Sequence, residues 1–459
     1  MADVQPFRGL RYNVERVKDI SSVICPPYDI ISPPEQRSCY QRSPYNIVRL
    51  ELGEDCPSDS PQSNRYTRAA DIFKDWLEEG ILLREPVPAF YVFQHRFIQQ
   101  GYLRSRWGLV ARVRLPDQPA AGARLHETTL ESRVKDRLNL LRSCRVNVSP
   151  ILGIVRQGQQ ELASLLQELV GEEADLSAVD HQGLIHHMWV ITNPSSIAGI
   201  SAFCADKVLY IADGHHRYET ALAYQREQQA VLSRSTGEEA SNFVMVTIAD
   251  AGDPGLLALP AHRLLRGART KRLADLRAKL GSLFDQEYLD PTGATLAETV
   301  EWWLDALAKR GKEGAAIGVY GLDGKRLRLL VPRERAKLEE MLPQERSQEW
   351  RNLDVAILHW IILRRIMGVD TPQKEEKRLT YTENEMEAIS RVDSGEYQLA
   401  FLMNPIPVSS VLAIADAGDR MPSKSTYFYP KLPTGLVMYP LWDEEKRNST
   451  PDSQTAGVI

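Results

Sequence analysis

One short stretch of this sequence concentrates side chains that could do chemistry. Within seven residues it carries Asp213, His215, His216, Arg217 and Glu219. Imidazole and guanidinium groups can hold an anion, while a carboxylate can act as a general base or bind a metal ion. The stretch therefore has the composition of a site for a phosphate or another small anion.

The same stretch lies at a predicted turn between a strand and a helix. Val208–Ala212 is an apolar run typical of a buried strand, and apolar residues recur at helical spacing from Tyr218 to Tyr224. Gly214 permits a tight turn or the close approach of a ligand. Because the first turn of a helix has unpaired N–H groups and the positive end of the dipole, we expect Gly214–Arg217 to bind an anion.

Two other interpretations of the turn stay open. Asp213 could cap the helix at an ordinary surface turn, with solvated histidines and an ion pair between Arg217 and Glu219. Asp213, His215 and His216 could instead bind a metal ion. Adjacent helical histidines diverge by about 100°, and the chain contains no HExxH or CxxC motif, which weakens the metal interpretation.

The composition is that of an ordinary globular protein. The chain has 459 residues, 43% apolar and 25% charged, which predicts two or three domains, or one large domain with insertions. Its net charge of −5, without blocks of like charge, gives no reason to expect a nucleic-acid or membrane partner. The start of the sequence has no signal-like apolar segment and the chain has no long apolar run, so we expect a cytoplasmic protein. The five cysteines are widely spaced, so we expect reduced thiols.

Two further motifs contain candidate site residues. His126 and Glu127 precede a predicted helix, and Glu127 could be a general base or a magnesium ligand. On that helix, Lys135, Asp136 and Arg137 are spaced like a solvated face with salt pairs. His262 and Arg263 follow the predicted buried strand Asn242–Asp250. Since ligands of open α/β sheets gather at strand ends, we expect these two residues near a substrate.

A long segment near the end of the chain, Ala417–Gly435, is rich in glycine, proline, lysine and aromatic residues. A loop of this length is usually functional or disordered, and its three consecutive aromatics argue against disorder. We expect it to close over an anionic substrate as a lid; a packed surface loop is the alternative. The residues expected to contact substrate are Lys424, Ser425, Thr426, Tyr427 and Lys431.

The order of predicted elements indicates an α/β to α+β protein with mixed sheets. A hairpin is predicted from strands at 89–97 and 107–115, and further strands at Tyr45–Glu51 and Val411–Asp416. We divide the chain into a catalytic core at 1–265, a second α/β region at 266–443 that contains the loop 417–435, and a disordered tail at 444–459.

Several of these stretches together resemble a known family. They are PFRGLRY, VICPPYDIIS, YNIVRLELG, HETTLESRVKDRL, IADGHHRYETA, LPAHRLL, LDVAILH and MPSKSTYFYPKLPTGL. In this order, over nearly the full length, the chain resembles the bacterial family called domain of unknown function 1015. The DGHHR turn is also similar to that of free serine kinases with the ParB/sulfiredoxin-like fold, which phosphorylate free L-serine to O-phospho-L-serine.

The second resemblance implies a ParB/sulfiredoxin-like core around the turn, with flanking elements added. It also implies that Asp213–Arg217 cradle phosphate and that an upstream glutamate is the base, which we assign to Glu127. The flanking regions lie outside the serine-kinase pattern, so the donor and the acceptor can both differ. No GxxxxGK[ST] motif or protein-kinase motif set occurs.

We therefore predict a phosphotransferase for a small hydroxyl metabolite, with free L-serine as the acceptor and ATP, ADP or pyrophosphate as the donor. The predicted catalytic residues are Glu127, Asp213, His215, His216 and Arg217. The predicted substrate and phosphate ligands are Gly214, His126, His262, Arg263, Lys424, Ser425, Thr426, Tyr427 and Lys431, with Mg²⁺ on Asp213 and Glu219. A ParB-like nucleic-acid-associated regulator and a metal-dependent hydrolase are the alternatives, and the oligomeric state is not predicted.

Overall fold

The computed structural model describes residues 2–117, 122–156, 161–231, 236–293 and 295–442. The tail predicted at 444–459 lies outside the described residues. The chain is a mixed α/β protein, which confirms the predicted fold class. Within the part of the chain that the structure describes, no helix is long and apolar enough to cross a membrane.

The described residues fall into two compact units. Unit 1 comprises those of Met1–Arg124, Thr129–Leu257 and Pro430–Ile459, and unit 2 comprises those of Leu125–Thr128 and Ala258–Tyr429. The division predicted from the sequence differs from this one, because it placed the boundary at residue 265 and assigned 430–443 to the later region. Leu436, Val437 and Met438 are instead buried in the core of unit 1.

The strands and helices follow one another along the whole chain. The strands are β1 (Val4–Gln5), β2 (Leu10–Tyr12), β3 (Leu82–Arg84), β4 (Phe90–Gln99), β5 (Tyr102–Arg114), β6 (Arg124–Leu125), β7 (Val146–Asn147), β8 (Ile151–Val155), β9 (Leu176–Val179), β10 (Ile185–Ile191), β11 (Leu209–Asp213), β12 (Phe243–Asp250), β13 (Leu257–Leu259), β14 (His262–Leu265), β15 (Phe284–Leu289), β16 (Ile317–Tyr320), β17 (Leu327–Pro332), β18 (Leu379–Thr382), β19 (Leu399–Met403), β20 (Tyr427–Tyr429) and β21 (Tyr439–Pro440). The α-helices are α1 (Pro33–Arg42), α2 (Val48–Glu51), α3 (Arg65–Glu78), α4 (Glu131–Cys144), α5 (Glu161–Leu169), α6 (Pro194–Cys204), α7 (His215–Val231), α8 (Thr270–Leu283), α9 (Leu296–Glu313), α10 (Arg335–Met341), α11 (Gln348–Arg351), α12 (Asp354–Ile357), α13 (Pro372–Arg378), α14 (Glu385–Asp393) and α15 (Val408–Asp416). A π-helix follows α12 at Leu358–Ile366, and 3₁₀ turns cover Ile20–Ser22 and Ala240–Asn242.

The main sheet of unit 1 contains the strand that leads to the DGHHR turn. From β11 onward its order is β11-β8-β12-β5-β4-β10-β9, with β1 against β5. The neighbours are antiparallel except for β8 and β12, which are parallel. Every residue of β12 is buried, which makes this strand the centre of the core. The pairing of β11 with β8 shifts between Ile211 and Asp213, and such an irregularity re-aims the side chains that follow it.

The strand predicted at Tyr45–Glu51 is wrong, because the structure has helix α2 there. The side chain of Asn46 is fully buried, and its Oδ1 accepts a hydrogen bond from the amide of Val48 at 3.0 Å. Its Nδ2 donates to the carbonyls of Ser22 and Ile24. These hydrogen bonds satisfy the backbone N–H of Val48 and hold Asn46 against Ser22 and Ile24. The local alternation of apolar and polar residues therefore does not decide the conformation.

Unit 2 is built on a second sheet, of order β15-β17-β16-β19-β14-β18, in which all neighbours are antiparallel. Helices α9 and α14 contribute to its core, where Trp303 is almost fully buried. The strand predicted at Val411–Asp416 is wrong, because these residues form most of α15. A short apolar run does not distinguish a buried strand from the buried face of a helix, and here the run forms such a helix face.

Candidate functional site

The DGHHR stretch forms the predicted turn between a strand and a helix. Strand β11 ends at Asp213, Gly214 has a φ of +88°, and α7 begins at His215. Only glycine adopts such a φ without strain, and a Cβ at this position would lie 3.0 Å from Nε of Arg217. None of residues 213–217 is exposed. The surface-turn interpretation finds little support, because His215 is buried and Arg217 lies near Asp213, not in an ion pair with Glu219.

Two cations share the carboxylate of Asp213. Nζ of Lys431 lies 3.3 Å from Oδ2, and Nη2 of Arg217 lies 3.8 Å from the same oxygen. The side chains of both cations are about nine-tenths buried, at 12% and 11% exposed. Both cations therefore place positive charge beside the positive end of the α7 dipole.

Arg217 is fixed by the backbone and still has donor capacity. Its Nη1 donates to the carbonyl of Pro150, whereas its buried Nε finds no hydrogen-bond partner among the described residues. The side chain also lines a cavity of about 50 Å³ together with Glu51, Arg137 and Ser149. A cavity of this size can hold a water molecule or one small polar group.

The walls of this cavity come from motifs that are distant in the sequence. Glu51 is 2% exposed, and its Oε1 accepts hydrogen bonds from the amide of Tyr28 at 3.2 Å and from Oγ of Ser149 at 3.0 Å. Nη1 of Arg137 donates to the carbonyl of Glu51 at 2.7 Å, and its guanidinium carbon lies 4.1 Å from the centre of the Tyr28 ring. Burial and then Asp29 raise the pKa of Tyr28, so its phenol stays neutral. Residues of YNIVRLELG, HETTLESRVKDRL and DGHHR thus line one small cavity, and Tyr28 of VICPPYDIIS contacts two of them, Glu51 and Arg137.

Sequence reasoning missed two of these side chains. The segment that ends at Glu51 was predicted to be a strand, and Arg137 was predicted to lie on a solvated helix face, although it is 6% exposed. The available signal was the position of Arg137 immediately before Leu138, on the apolar stripe of the predicted helix. A charged residue at the edge of such a stripe can lie in a buried site when it has partners there.

Arg106 is a third cation that is electrostatically coupled to Asp213. It lies on β5, is 1% exposed, and its Nη1 and Nη2 have no hydrogen-bond partner among the residues that the structure describes. Burial lowers its pKa to about 10, an effect that Asp253 and Asp213 oppose, so it remains charged at neutral pH. The predicted strand began one residue later, at Trp107, whereas β5 begins at Tyr102 and includes Arg106.

The first turn of α7 also fixes the residues just before α4. Nε2 of His216 accepts a hydrogen bond from the amide of Leu130 at 3.0 Å, so the proton of a neutral ring lies on Nδ1. Oγ1 of Thr129 donates to Oε2 of Glu219. His215 is buried, with 6% of its surface exposed. Glu219 and His216 therefore hold the last residue of the HETT motif and the residue after it.

The metal interpretation of the turn finds no support in this geometry. Among the described residues, no group of three or more His, Cys, Asp or Glu side chains is placed to hold a metal ion. Asp213 is paired with cations, and Glu219 accepts from Thr129. Because Mg²⁺ often uses one or two carboxylates and takes its other ligands from water and phosphates, a magnesium ion on Asp213 and Glu219 stays a prediction.

The other candidate residues come together within unit 2. Oε1 of Glu127, 9% exposed, accepts a hydrogen bond from the amide of Lys424 at 2.6 Å, and Nη2 of Arg263 donates to the carbonyl of Lys424 at 3.2 Å. Nε2 of His126 lies 3.2 Å from Oγ1 of Thr426. Lys424 has a φ of +57°, which is strained for a residue with a side chain. Glu127 and Arg263 hold both sides of this strained residue.

Burial also determines the ionisation of the HR pair. His262 is fully buried, and its Nδ1 accepts a hydrogen bond from the amide of Met403 at 3.1 Å. Burial and then the charge of Arg263 lower the pKa of His262 to about 3, so the imidazole is neutral. Burial lowers the pKa of Arg263 as well. His262 therefore contributes to the packing of β14, and its role as a substrate ligand stays a prediction.

The expected lid segment is packed along much of its length. Ser425 and Phe428 are 3% and 1% exposed in unit 2, and Oγ of Ser425 donates to the carbonyl of Pro422 at 2.6 Å. Tyr427 begins the short strand β20. From Pro430 onward the chain belongs to unit 1 and includes Lys431. Closure of this segment over a substrate stays a prediction.

Comparison with known proteins identifies the family. A model of the family described as protein of unknown function (DUF1015) matches residues 4–356, well over half of the chain. The chain belongs to this family. The resemblance predicted from the motifs is thereby confirmed, and no curated protein matches the chain.

Several solved structures are similar to this DUF1015 chain at low identity. A conserved hypothetical protein from Pyrococcus furiosus is 13% identical, with 72% of this chain and 94% of that chain covered and a TM-score of 0.35. A free serine kinase in complex with AMP is 12% identical, with 72% and 92% covered and a TM-score of 0.35. SbnI with a C-terminal truncation, from Staphylococcus aureus, is 12% identical, with 74% and 93% covered and a TM-score of 0.34. Scores this low carry no argument, so the ParB/sulfiredoxin-like core stays a prediction.

Proposed function

We propose that this protein is a phosphotransferase that transfers a phosphoryl group to the hydroxyl of free L-serine and forms O-phospho-L-serine. The observation that carries the proposal is the partly buried turn where Arg217 and Lys431 flank Asp213 at the start of α7. Phosphoryl transfer depends mainly on positioned positive charge around the moving group. A partly buried turn in which two cations lie beside one carboxylate supplies such charge.

In this proposal the phosphate binds at the amino-terminal end of α7. The N–H groups of the first helical turn, together with His215 and His216, would form the cradle, and Gly214 would allow the phosphate to approach the backbone. Arg217 and Lys431 would exchange part of their interaction with Asp213 for the phosphate oxygens. Charged hydrogen bonds to phosphate are stronger than neutral ones, which favours that exchange.

Arg106 adds support that is independent of the helix terminus. A guanidinium that is 99% buried, with two nitrogens lacking partners among the described residues, costs folding free energy unless a ligand or water satisfies it. Asp253 and then Asp213 oppose the lowering of its pKa by burial, which supports a place for its charge near the turn. We include Arg106 among the groups that stabilise the anion.

A magnesium ion, when bound, would neutralise part of the donor's phosphate charge, with Asp213 and Glu219 as its protein ligands. The carboxylates fit this role only partly, because each already has a partner within the protein. When Arg217 and Lys431 bind the phosphate oxygens, Asp213 would become free to bind the magnesium ion. The donor would be ATP, ADP or pyrophosphate.

Glu127 would act as the general base. It would take the proton of the serine hydroxyl as that oxygen forms its bond to phosphorus, while the bond from phosphorus to the donor oxygen breaks. The remaining candidate ligands, which would bind the substrate, are His126, His262, Arg263, Lys424, Ser425, Thr426 and Tyr427. Among them, the buried guanidinium of Arg263 is suited to a carboxylate such as that of an amino acid.

The direct test is incubation of the purified protein with L-serine, Mg²⁺ and each donor in turn, followed by mass spectrometry for O-phospho-L-serine. We expect the product with at least one donor, and its loss in Arg217→Ala. Arg142→Ala is the matched control, because Arg142 is 48% exposed and pairs with Glu227 on the surface of unit 1. Absence of product with all three donors, or normal turnover in Arg217→Ala, would overturn the proposal.

A further inference from the structure

Unit 2 contains a cleft with an unusual concentration of positive charge. Its volume is about 620 Å³, and none of the described residues that line it carries a carboxylate. Six of the nine lining residues are cationic: Arg266, Arg269, Arg272, Lys374, Lys377 and Arg378. The chain as a whole has a net charge of −5, so this cleft departs from the average charge of the protein.

Backbone carbonyls hold three of the guanidinium groups in place. Nη1 of Arg272 donates to the carbonyl of Ile366 at 2.9 Å, Nη1 of Arg378 donates to that of Met367 at 3.3 Å, and Nε of Arg266 donates to that of Lys377 at 3.1 Å. Each bond uses only part of the five-donor guanidinium. These arginines are therefore oriented and keep further N–H groups for a ligand.

A glycine makes room for one of these arginines. Gly368 has a φ of +69°, and a Cβ at this position would lie 3.2 Å from Nη2 of Arg272. Any side chain there would be strained and would press against the guanidinium. The wall of the cleft is thus shaped to admit the Arg272 head group.

Most of the positive charge in the cleft is not compensated by the protein. Lys374 pairs with Asp370 at 2.5 Å, and Glu396 is electrostatically coupled to Arg266. Among the described residues, Arg269, Arg272, Lys377 and Arg378 have no ion pair. Burial, and then repulsion from Arg272 and Arg269, lower the pKa of Arg378, which shows that these like charges act on one another.

We propose that this cleft binds a small molecule with two or more linked phosphates. Guanidinium groups bind phosphate oxygens through paired hydrogen bonds, and several fixed guanidiniums match several linked phosphates. The volume falls in the range of small-ligand sites, roughly 300–1,000 Å³. The acidic chain as a whole favours a small ligand over a nucleic-acid strand, whose long backbone would also meet the negative charge outside the cleft.

This site is separate in composition from the transfer site proposed above. None of the residues that line the cleft belongs to the proposed phosphate turn or to the proposed substrate ligands. The inference therefore goes beyond the proposed function and holds whether or not the protein transfers phosphate to serine. The cleft would recognise linked phosphates, which a regulatory compound and the phosphoryl donor itself can both carry.

The test is isothermal titration calorimetry of the full chain with inorganic tripolyphosphate near physiological ionic strength. We compare the wild type with the double variant Arg269→Gln/Lys377→Gln, which leaves the carbonyl-anchored arginines in place. The control is Arg333→Gln, since Arg333 is 49% exposed, pairs with Asp285 and lies outside the cleft in unit 2. We expect the double variant to raise the dissociation constant about tenfold or more, while the control and the melting temperatures stay unchanged.

Titrations with ATP and with a single-stranded oligonucleotide complete the experiment. Stronger binding of ATP than of tripolyphosphate, with the same loss in the double variant, supports the proposal and identifies a nucleotide as the source of the linked phosphates. The proposal is overturned if tripolyphosphate does not bind or if the double variant binds it like the wild type. It is also overturned if the oligonucleotide binds more tightly than either small ligand and the double variant loses that binding.

Discussion

Nζ of Lys431 lies 3.3 Å from Oδ2 of Asp213 within unit 1. The two residues come from opposite sides of the second unit in the sequence, and the return of the chain at Pro430 brings them together. The segment that carries Lys431 is held by strand β21, which pairs with β7, and by buried Leu436 and Met438. The end of the described chain is thus part of the candidate phosphate site.

Removal of this lysine should impair the proposed transfer without unfolding the protein. We expect Lys431→Gln to lower kcat/KM for the phosphoryl donor by about 10²-fold, because one positive group would be lost from the transition state. Lys74→Gln is the control, since Lys74 is 64% exposed on α3 of unit 1. Initial rates of phosphoserine formation give the answer, and a rate equal to that of the control would contradict a role of Lys431 at the phosphate.

The glycine of the turn offers a test that separates backbone strain from site chemistry. Gly214→Ala and Gly183→Ala both place a Cβ on a residue with positive φ, at +88° and +81°. Nothing lies within 4 Å of a Cβ at Gly183, whereas a Cβ at Gly214 would meet the Arg217 guanidinium. Thermal or urea unfolding should show a loss of about 1–2 kcal/mol in each variant. Only Gly214→Ala should also lose turnover, and equal activity in the two variants would show that the position of Arg217 is not critical.

Glu127→Gln tests the assignment of the base. A glutamine retains an oxygen that can accept the hydrogen bond from the Lys424 amide, so the fold should persist. Because the amide cannot take a proton, we expect kcat to fall by about 10²–10⁴-fold. Glu131→Gln, at the exposed start of α4, should leave kcat unchanged. A normal kcat in Glu127→Gln would assign the base elsewhere.

Arg106 should show opposite effects on stability and activity. Its buried charge lacks partners for two nitrogens among the described residues, so Arg106→Met should leave the free energy of unfolding unchanged or raise it. The same change should lower turnover if the charge serves a bound anion. Urea unfolding and rate measurements on one preparation distinguish the cases: a less stable but fully active variant would make Arg106 a structural residue.

The buried histidine of unit 2 predicts an acid-dependent loss of stability. The pKa of His262 is about 3 in the folded protein, against 6.5 for an unperturbed histidine. Below pH 6.5 the unfolded chain therefore binds a proton that the folded chain does not, and the free energy of unfolding falls as the pH is lowered towards 3.

At pH 5 this one residue accounts for roughly 2 kcal/mol of the loss. His262→Asn removes the titrating group, while its Oδ1 can still accept from the Met403 amide. Urea unfolding at pH 7.5 and pH 5 should show a decrease that is smaller in the variant by about that amount. An equal decrease in both proteins would mean that His262 becomes protonated in the folded state.

The sequence by itself determined the local features of this protein. The apolar run before Asp213 and the helical spacing after Gly214 predicted the turn, because both patterns follow from the geometry of one strand and one helix. The quoted motifs also predicted the family, which the comparison confirmed. The same local rules predicted strands at Tyr45–Glu51 and Val411–Asp416, where buried contacts instead stabilise helices.

Only the tertiary structure decided which distant residues share a site. Arg106 lies on a central strand and Lys431 on the returning end of the chain, and no spacing along the sequence relates either of them to Asp213. The carbonyl-anchored arginines of the unit 2 cleft likewise come from two separate segments. Charge and burial at such positions depend on long-range packing, whereas sequence periodicity reports only the element to which a residue belongs.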